Sequence, residues 1–160
     1  MHIRAATQAD IHLIYQFIQQ KAEFDRSVGA YQGILQTSDA KIRTTIFGPT
    51  PFAYVLFCEQ QNQPTGFALY GFRYSSFAGQ PSIWLDDLYV AEEYRSQGAG
   101  AALMQYLAQI AASHHCTHLA WTADARNQRG LQFYHRLGAE IIKREGQRCY
   151  WKWQPNLFNR

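Results

Sequence analysis

The sequence contains one stretch whose residue types and spacing suit the binding of an anion. YRSQGAGAAL, residues 94–103, places Arg95, Gly98 and Gly100 at the start of a segment that reads as a helix. The first turn of a helix has unpaired N–H groups and a partial positive charge, and glycine lets a ligand approach the backbone closely. The stretch lacks the lysine of the GxxxxGK[ST] motif, which argues against hydrolysis of nucleoside triphosphates. It therefore suits a diphosphate held by backbone amides, and an ordinary tight turn is the alternative.

Two further features could move protons. Asp86 and Asp87 interrupt an apolar strand pattern, IWLDDLYV at 83–90, where a carboxylate needs a partner or a function. Alternation along a strand directs the two side chains to opposite faces. Tyr134 carries a phenol, a group whose ordinary pKa is about 10, which can hand a proton to a leaving thiolate. A paired structural acid and a core aromatic are the alternative interpretations.

The elements that position these residues alternate between strand and helix patterns. The spacing of apolar residues predicts strands over 3–5, 52–59, 65–74, 82–90, 118–122, 141–143 and 148–153, and helices over 11–24, 39–47, 100–113 and 129–137. Thr7 and Asp10 have the spacing of a capping box, and Gly138 suits the end of the last helix. The order β-α-α-β-β-β-α-β-α-β-β, without a repeat or a linker, predicts a single α/β domain over 1–160.

Composition argues against several classes of protein. The chain has 160 residues, of which 47% are hydrophobic and 17% charged, as in globular domains. Its net charge is +3 and its Lys and Arg residues are scattered, so we expect no nucleic-acid partner. No segment is long and apolar enough for a membrane helix, and the opening residues MHIR do not begin a secretory signal. Cys58, Cys116 and Cys149 form no CxxC pair, so we expect reduced thiols in a cytoplasmic protein and no metal site.

Four segments, taken in order, resemble the GNAT superfamily of acetyl-CoA-dependent N-acetyltransferases. They are GFALYGFRY (66–74), IWLDDLYV (83–90), YRSQGAGAAL (94–103) and NQRGLQFYHRLGA (127–139). Residues 95–100 match the Q/R-x-x-G-x-G/A motif of that superfamily, and the resemblance covers essentially the whole chain. Within the superfamily the chain is most similar to the spermidine/spermine (diamine) and thialysine acetyltransferases. The resemblance implies an α/β GNAT fold: a mixed central sheet of six or seven strands with splayed central strands, flanked by about four helices. It also implies a homodimer.

The resemblance also implies which residues bind and react. The residues implied to bind acetyl-CoA are Leu88, Tyr89, Val90, Arg95, Ser96, Gln97, Gly98, Ala99, Gly100, Ala101, Asn127, Gly130 and Tyr134. Those implied to contact the amine are Glu23, Asp25, Asp86, Trp121 and Thr122. Tyr134 is the implied general acid. Asp86 stands where the family has a glutamate that accepts the amine proton, and its shorter side chain favours transfer through water.

An amine acceptor agrees with elementary acid–base chemistry. An alkyl amine has a pKa of about 10.4, so only about one molecule in 2,500 is neutral at pH 7. A carboxylate must therefore accept the proton as attack proceeds, and a backbone N–H near Leu88 would stabilise the oxyanion. Twelve acidic residues and a positive net charge attract a polycation weakly, which favours a lysine-like or thialysine-like acceptor over spermine. A peptide or protein amine, and a catalytically idle acyl-CoA-binding module, are the alternatives. The aromatic segment 150–153 suits either a dimer contact or the last core strand.

Overall fold

A computed structural model describes residues 1–156, which form a seven-stranded mixed sheet and four α-helices. The strands are β1 (His2–Ala5), β2 (Tyr54–Gln60), β3 (Gln63–Ser75), β4 (Gln80–Val90), β5 (Leu119–Asp124), β6 (Glu140–Glu145) and β7 (Arg148–Trp153). The helices are α1 (Ile11–Ser27), α2 (Asp39–Ile46), α3 (Ala99–Ser113) and α4 (Gln128–Leu137). The predicted α/β class and element order are confirmed. Within residues 1–156 no helix is long and apolar enough to cross a membrane.

The sheet has the order β1-β2-β3-β4-β5-β7-β6, and its core lies on both faces. On one face α1 and α2 pack over a cluster that includes Phe17 and Phe67. On the other face α3 and α4 pack over a larger cluster that includes Leu107, Trp121 and Trp151. Each large apolar side chain buried in this way contributes about 1.5–3 kcal/mol. The two clusters therefore hold the helices in fixed positions against the sheet.

Several element boundaries differ from the sequence prediction, among them those at the turn between β2 and β3 and at the end of α1. The turn predicted over 60–64 contains only Gln61 and Asn62, because β2 and β3 stay paired up to Gln60 and Gln63. Gln61 and Asn62 have φ values of 52° and 62°, the left-handed pair of a type I′ hairpin turn. Helix α1 continues to Ser27, three residues beyond the predicted end, so that Asp25 lies on the helix rather than after it.

The aromatic segment near the C-terminus forms a core strand. Strand β7 lies between β5 and β6, and its Trp151 and Trp153 are 0% and 4% exposed. These two side chains fill the cluster beneath α3 and α4, so the core-strand interpretation is correct for them. The homodimer stays a prediction.

Strands β4 and β5, the parallel pair at the centre of the sheet, are aligned over only two residue pairs. Ile83 is aligned with Leu119 and Trp84 with Ala120, and beyond this point the strands are no longer paired. All other neighbouring strands are antiparallel. The splay that was predicted for the central strands is therefore present, and it leaves backbone groups of β4 without a neighbouring strand on one side.

A bulge at Asp86 changes the face that later residues of β4 occupy. Leu85 and Asp87 are aligned with consecutive residues of β3, which leaves Asp86 as the extra residue. Leu85 before the bulge and Leu88 after it both pack into the cluster beneath α3, although strict alternation would place them on opposite faces. Asp87 consequently turns toward α1, whereas Asp86 borders the opening between β4 and β5.

Candidate active site

A cleft of about 770 Å³ opens where β4 and β5 diverge. Its walls are the end of β4, the turn before α3, the end of β5, α4 and the last turns of α1. Among the residues predicted for the site, those that line the cleft are Asp25, Asp86, Leu88, Tyr89, Val90, Arg95, Ser96, Gly98, Ala99, Gly100, Ala101, Trp121, Thr122, Asn127, Gly130 and Tyr134. The fold therefore brings together residues that are more than a hundred positions apart in the chain.

The turn before α3 has an unusual backbone. Ser96 and Gly98 both have left-handed φ values, 62° and 90°. Gly98 occupies the N-cap of α3 and has no side chain that could cap the helix, so the amides of the first turn stay open to a ligand. Arg129, on the first turn of α4, donates from Nη2 to Ser96 Oγ at 2.8 Å. A guanidinium and a set of open amides thus face the same part of the cleft, an arrangement that suits a phosphate group.

Two of the glycines in the cleft wall are required by contacts within the protein. A Cβ atom at Gly100 would lie 3.2 Å from Phe133 Cζ, so Gly100 lets α4 approach α3 closely. A Cβ atom at Gly130 would lie 2.5 Å from Asn127 Nδ2. Asn127 Oδ1 accepts a hydrogen bond from the Gly130 amide at 3.0 Å and so caps α4. Gly100 and Gly130 therefore serve the packing and capping of α4 as well as lining the cleft.

Arg95 and Gln97, both expected to bind acetyl-CoA, lie differently relative to the cleft. Arg95 is held inside the structure, where its Nε donates to the Val90 carbonyl at 2.9 Å and its guanidinium lies 4.9 Å from the ring centre of Phe24. These contacts fix the turn against β4 and α1, and Arg95 also lines the cleft. The exposed Gln97 does not line the cleft, and its amide reaches back to the Glu93 carbonyl.

The end of β4 offers a backbone donor to the cleft. The Ala91 amide donates to the Thr65 carbonyl of β3 at 2.9 Å, whereas the Val90 carbonyl faces the other way, toward Arg95. Because polar groups alternate in direction along a strand, the Leu88 amide also points away from β3. It faces the opening that the splay creates, where an extended ligand or a developing oxyanion could accept its hydrogen bond.

Tyr134 lies half-buried on an aromatic floor. Its ring centre is 5.0 Å from that of Trp121 and 5.3 Å from that of Trp151, and these buried side chains fix its position. Burial raises the pKa of Tyr134 to about 12, and the positive charge of Lys21 offsets part of that effect. The phenol is therefore neutral throughout the physiological pH range and holds a proton that it can donate.

Comparison with known proteins identifies the family. Residues 14–139 match the family model described as Acetyltransferase (GNAT) family. The chain belongs to the GNAT acetyltransferase family. It is 31% identical to the thialysine N-epsilon-acetyltransferase of Bos taurus over 157 residues, with 92% of this chain and 89% of the relative covered. It is 30% identical to the spermidine/spermine N(1)-acetyltransferase-like protein 1 of Homo sapiens, with 99% of this chain but 22% of that protein covered. An integron cassette protein of Vibrio cholerae has the same fold, with a TM-score of 0.70, 24% identity, and 99% and 94% of the two chains covered.

This N-acetyltransferase carries a charged cluster at the end of the cleft formed by α1 and β4. Lys21 Nζ lies 2.5 Å from Asp25 Oδ2 and 3.3 Å from Asp87 Oδ1. Burial raises the pKa of Asp87 to about 6, and Lys21 counteracts the effect in part. Burial works against the charge of Lys21 as well, but Asp87 and Asp25 together raise its pKa above the usual value. Asp86 is exposed to the cleft and has no ion-pair partner within residues 1–156.

Glu23 lies outside the cleft of this GNAT acetyltransferase. Its side chain is 74% exposed and pairs with Arg26. Two residues along an α-helix turn the side chain by about 200°, so Glu23 points away from the face that carries Lys21 and Asp25. The expected contact between Glu23 and the amine therefore needs correction.

Sequence reasoning missed Lys21, Phe24 and Arg129, which line the cleft. The four-residue separation of Lys21 and Asp25 is the spacing of a helical ion pair and could have indicated that contact. Nothing local in the sequence indicates that the pair faces β4, because Asp87 is 66 positions further along the chain. The approach of Arg129 to Ser96 likewise joins two elements separated by β5.

Proposed function

We propose that this N-acetyltransferase transfers an acetyl group directly from acetyl-CoA to the primary amine of a small cationic molecule. The observation that carries the proposal is a single continuous cleft. It runs from the unpaired amides in the first turn of α3, past Tyr134, to the carboxylates of Asp25 and Asp86. Enzymes of the GNAT family use acetyl-CoA. The cleft contains groups that could bind the diphosphate, groups that could transfer protons and a carboxylate that could bind the amine.

The residues of one wall fit the needs of acetyl-CoA. In the proposal its diphosphate accepts hydrogen bonds from the amides of 98–101, with Arg129 and Ser96 alongside. The extended arm pairs with the end of β4, where the Leu88 amide faces the opening. The proposed acetyl-CoA contacts are Leu88, Tyr89, Val90, Arg95, Ser96, Gly98, Ala99, Gly100, Ala101, Asn127, Gly130 and Tyr134.

The reacting groups have separate tasks. Asp86 accepts the proton of the attacking amine, directly or through one water molecule, because within residues 1–156 it is the carboxylate on the cleft wall without an ion pair. The Leu88 amide donates to the negative charge that develops on the thioester oxygen. Tyr134 donates its proton to sulfur as the carbon–sulfur bond breaks. The charge of Lys21 favours the phenolate that remains, whereas Asp25 and Asp87 oppose it, as their effects on the pKa of Tyr134 indicate. Trp121 and Thr122 border the acceptor.

The charges of the cleft favour an acceptor with a small positive charge. Its wall carries the acids Asp25, Asp86 and Asp124 but also five cations, which are Lys21, Arg95, Arg129, Arg136 and Arg148. Such a surface gives a polycation little net attraction. The bovine relative is named for thialysine, a zwitterion. We therefore propose a lysine-like or thialysine-like amino acid as the acceptor, in preference to a polyamine.

A screen for thiol release tests the proposal. The purified protein is given acetyl-CoA and, one at a time, lysine, thialysine, ornithine, putrescine, spermidine, spermine and a lysine-containing peptide. We expect release with the basic amino acids, together with products whose mass has increased by one acetyl group. Release with the peptide alone would make the protein a peptide acetyltransferase. Tight binding of acetyl-CoA without release for any amine would make it a binding module. Light scattering of the same preparation tests the proposed homodimer.

A further inference from the structure

Lys21 carries an ammonium group at the end of the cleft formed by α1 and β4, which is the acceptor end in the proposed function. Its side chain is 25% exposed and bonds to Asp25 at 2.5 Å and to Asp87 at 3.3 Å, and those carboxylates are 25% and 17% exposed. Lys21 and Asp25 both line the cleft, together with Phe24 of the same helix. A charged amine of the protein therefore already occupies the position beside Asp25 at which the cleft could receive an amine of a ligand.

This arrangement limits how many ligand cations the acids can bind. At this end of the cleft Asp25 and Asp86 line the wall, whereas Asp87 does not. Asp25 and Asp87 are already paired with Lys21, and Asp86 is left for the reacting amine. A second or third ammonium group on the acceptor would have to displace Lys21. Displacement would leave Lys21 half-buried beside another cation and without its counter-ions, which is unfavourable. An acceptor that carries no net positive charge beyond its reacting amine avoids this conflict.

We propose that Lys21 determines acceptor specificity: its ammonium takes the place beside Asp25 that a distal ammonium of a polyamine would fill. The enzyme consequently prefers basic amino acids to spermidine and spermine. The inference rests on the proposed function and names the residue that sets the substrate class. Lys21 acts here as a positioning and specificity residue, and the proton transfers stay with Asp86 and Tyr134.

The test compares the wild-type enzyme with Lys21→Met, which keeps the length and apolar stem of the side chain but removes its charge. Lys41→Met, on the exposed side of α2, is the matched control. For each protein kcat/KM is measured with lysine and with spermidine. The ratio of the spermidine value to the lysine value should rise at least about tenfold in Lys21→Met and stay constant in Lys41→Met. An unchanged ratio in a folded Lys21→Met protein overturns the inference. Lys21→Gln serves if the methionine variant does not fold.

A binding measurement separates this inference from the proposed function. Calorimetry of spermidine binding to the CoA-loaded proteins needs no turnover. A tenfold or larger increase in spermidine affinity in Lys21→Met supports the role of Lys21, even if the wild-type enzyme acetylates none of the amines and the proposed function fails. Equal spermidine affinity in wild type and variant overturns the role of Lys21, even if the wild-type enzyme acetylates lysine.

Discussion

Arg129 donates a hydrogen bond from Nη2 to the hydroxyl of Ser96 at 2.8 Å, and this contact joins the first turn of α4 to the turn before α3. The guanidinium is exposed and charged, so it can bond to a phosphate group as well. Replacement by alanine should raise the KM for acetyl-CoA about tenfold, since a bond to a charged group contributes about 1.5–3 kcal/mol. The kcat should change little, because in the proposed function Arg129 contacts the diphosphate and takes no part in the proton transfers. Steady-state kinetics of Arg129→Ala against Arg43→Ala, on α2, measure the effect, and equal KM values in the two variants would argue against a phosphate contact.

The cap of α4 should behave as one unit in stability measurements. Asn127→Ala removes the hydrogen bond to the Gly130 amide and should cost about 1 kcal/mol of unfolding free energy. Gly130→Ala places a Cβ atom 2.5 Å from Asn127 Nδ2 and should displace the same cap. The double variant should then lose much less than the sum of the two single losses. Urea unfolding of the four proteins measures this coupling, and strictly additive losses would show that the cap and the glycine are independent.

The pH profile of turnover should lack a descending limb from Tyr134. Burial raises the pKa of Tyr134 to about 12, and the general acid must carry its proton to act. As pH rises, the fraction of neutral amine increases while Tyr134 stays protonated, so kcat/KM should climb between about pH 6 and 9. Tyr134→Phe should lower the whole curve without changing its shape. Rates measured across this range test the point, and a fall below about pH 10 that only the wild-type enzyme shows would contradict it.

Asp87 should make the stability of the protein depend on pH. Burial raises the pKa of Asp87 to about 6, above its ordinary value of about 4. The folded protein therefore binds the proton more tightly than the unfolded chain, so the contribution of Asp87 is greatest below about pH 4 and is lost as pH rises through about 6. Relative to Asp87→Asn, the wild-type protein should lose up to about 3 kcal/mol between pH 4 and 7. Urea unfolding at several pH values measures the difference, and a wild-type advantage that grows with pH would contradict the burial of this acid.

The order of the elements could be predicted from local patterns in the sequence, whereas most of the candidate site residues were implied by the resemblance to the GNAT superfamily. Helical spacing of apolar residues located α1 and α3, and alternation with turn residues located the strands. The turn with Ser96 and Gly98 combines a helix start with glycine, and Asn127 lies at a cap position. Each of these features depends on only a few neighbouring residues, so a short sequence pattern is enough to predict it.

The acceptor end could not be predicted in the same way, because it depends on contacts between distant elements. The bulge at Asp86 changes the faces of β4 and directs Asp87 toward Lys21, and alternation alone does not predict a bulge. The apolar spacing that predicts α1 ends at residue 24, before Asp25, so it does not place Lys21 and Asp25 on one helical face opposite Glu23. The need for glycine at Gly100 arises from Phe133, which belongs to another helix.

The most direct test of the account measures acetyl transfer to lysine by the wild-type enzyme, Tyr134→Phe and Asp86→Asn at saturating acetyl-CoA. Both substitutions conserve side-chain volume, and calorimetry of CoA binding serves as the control that the cleft is intact. The account predicts that the wild-type enzyme forms acetyl-lysine and that each variant loses kcat by at least about 100-fold while its CoA affinity is retained. Near-wild-type rates in both variants would contradict the assignment of Tyr134 as proton donor and Asp86 as proton acceptor.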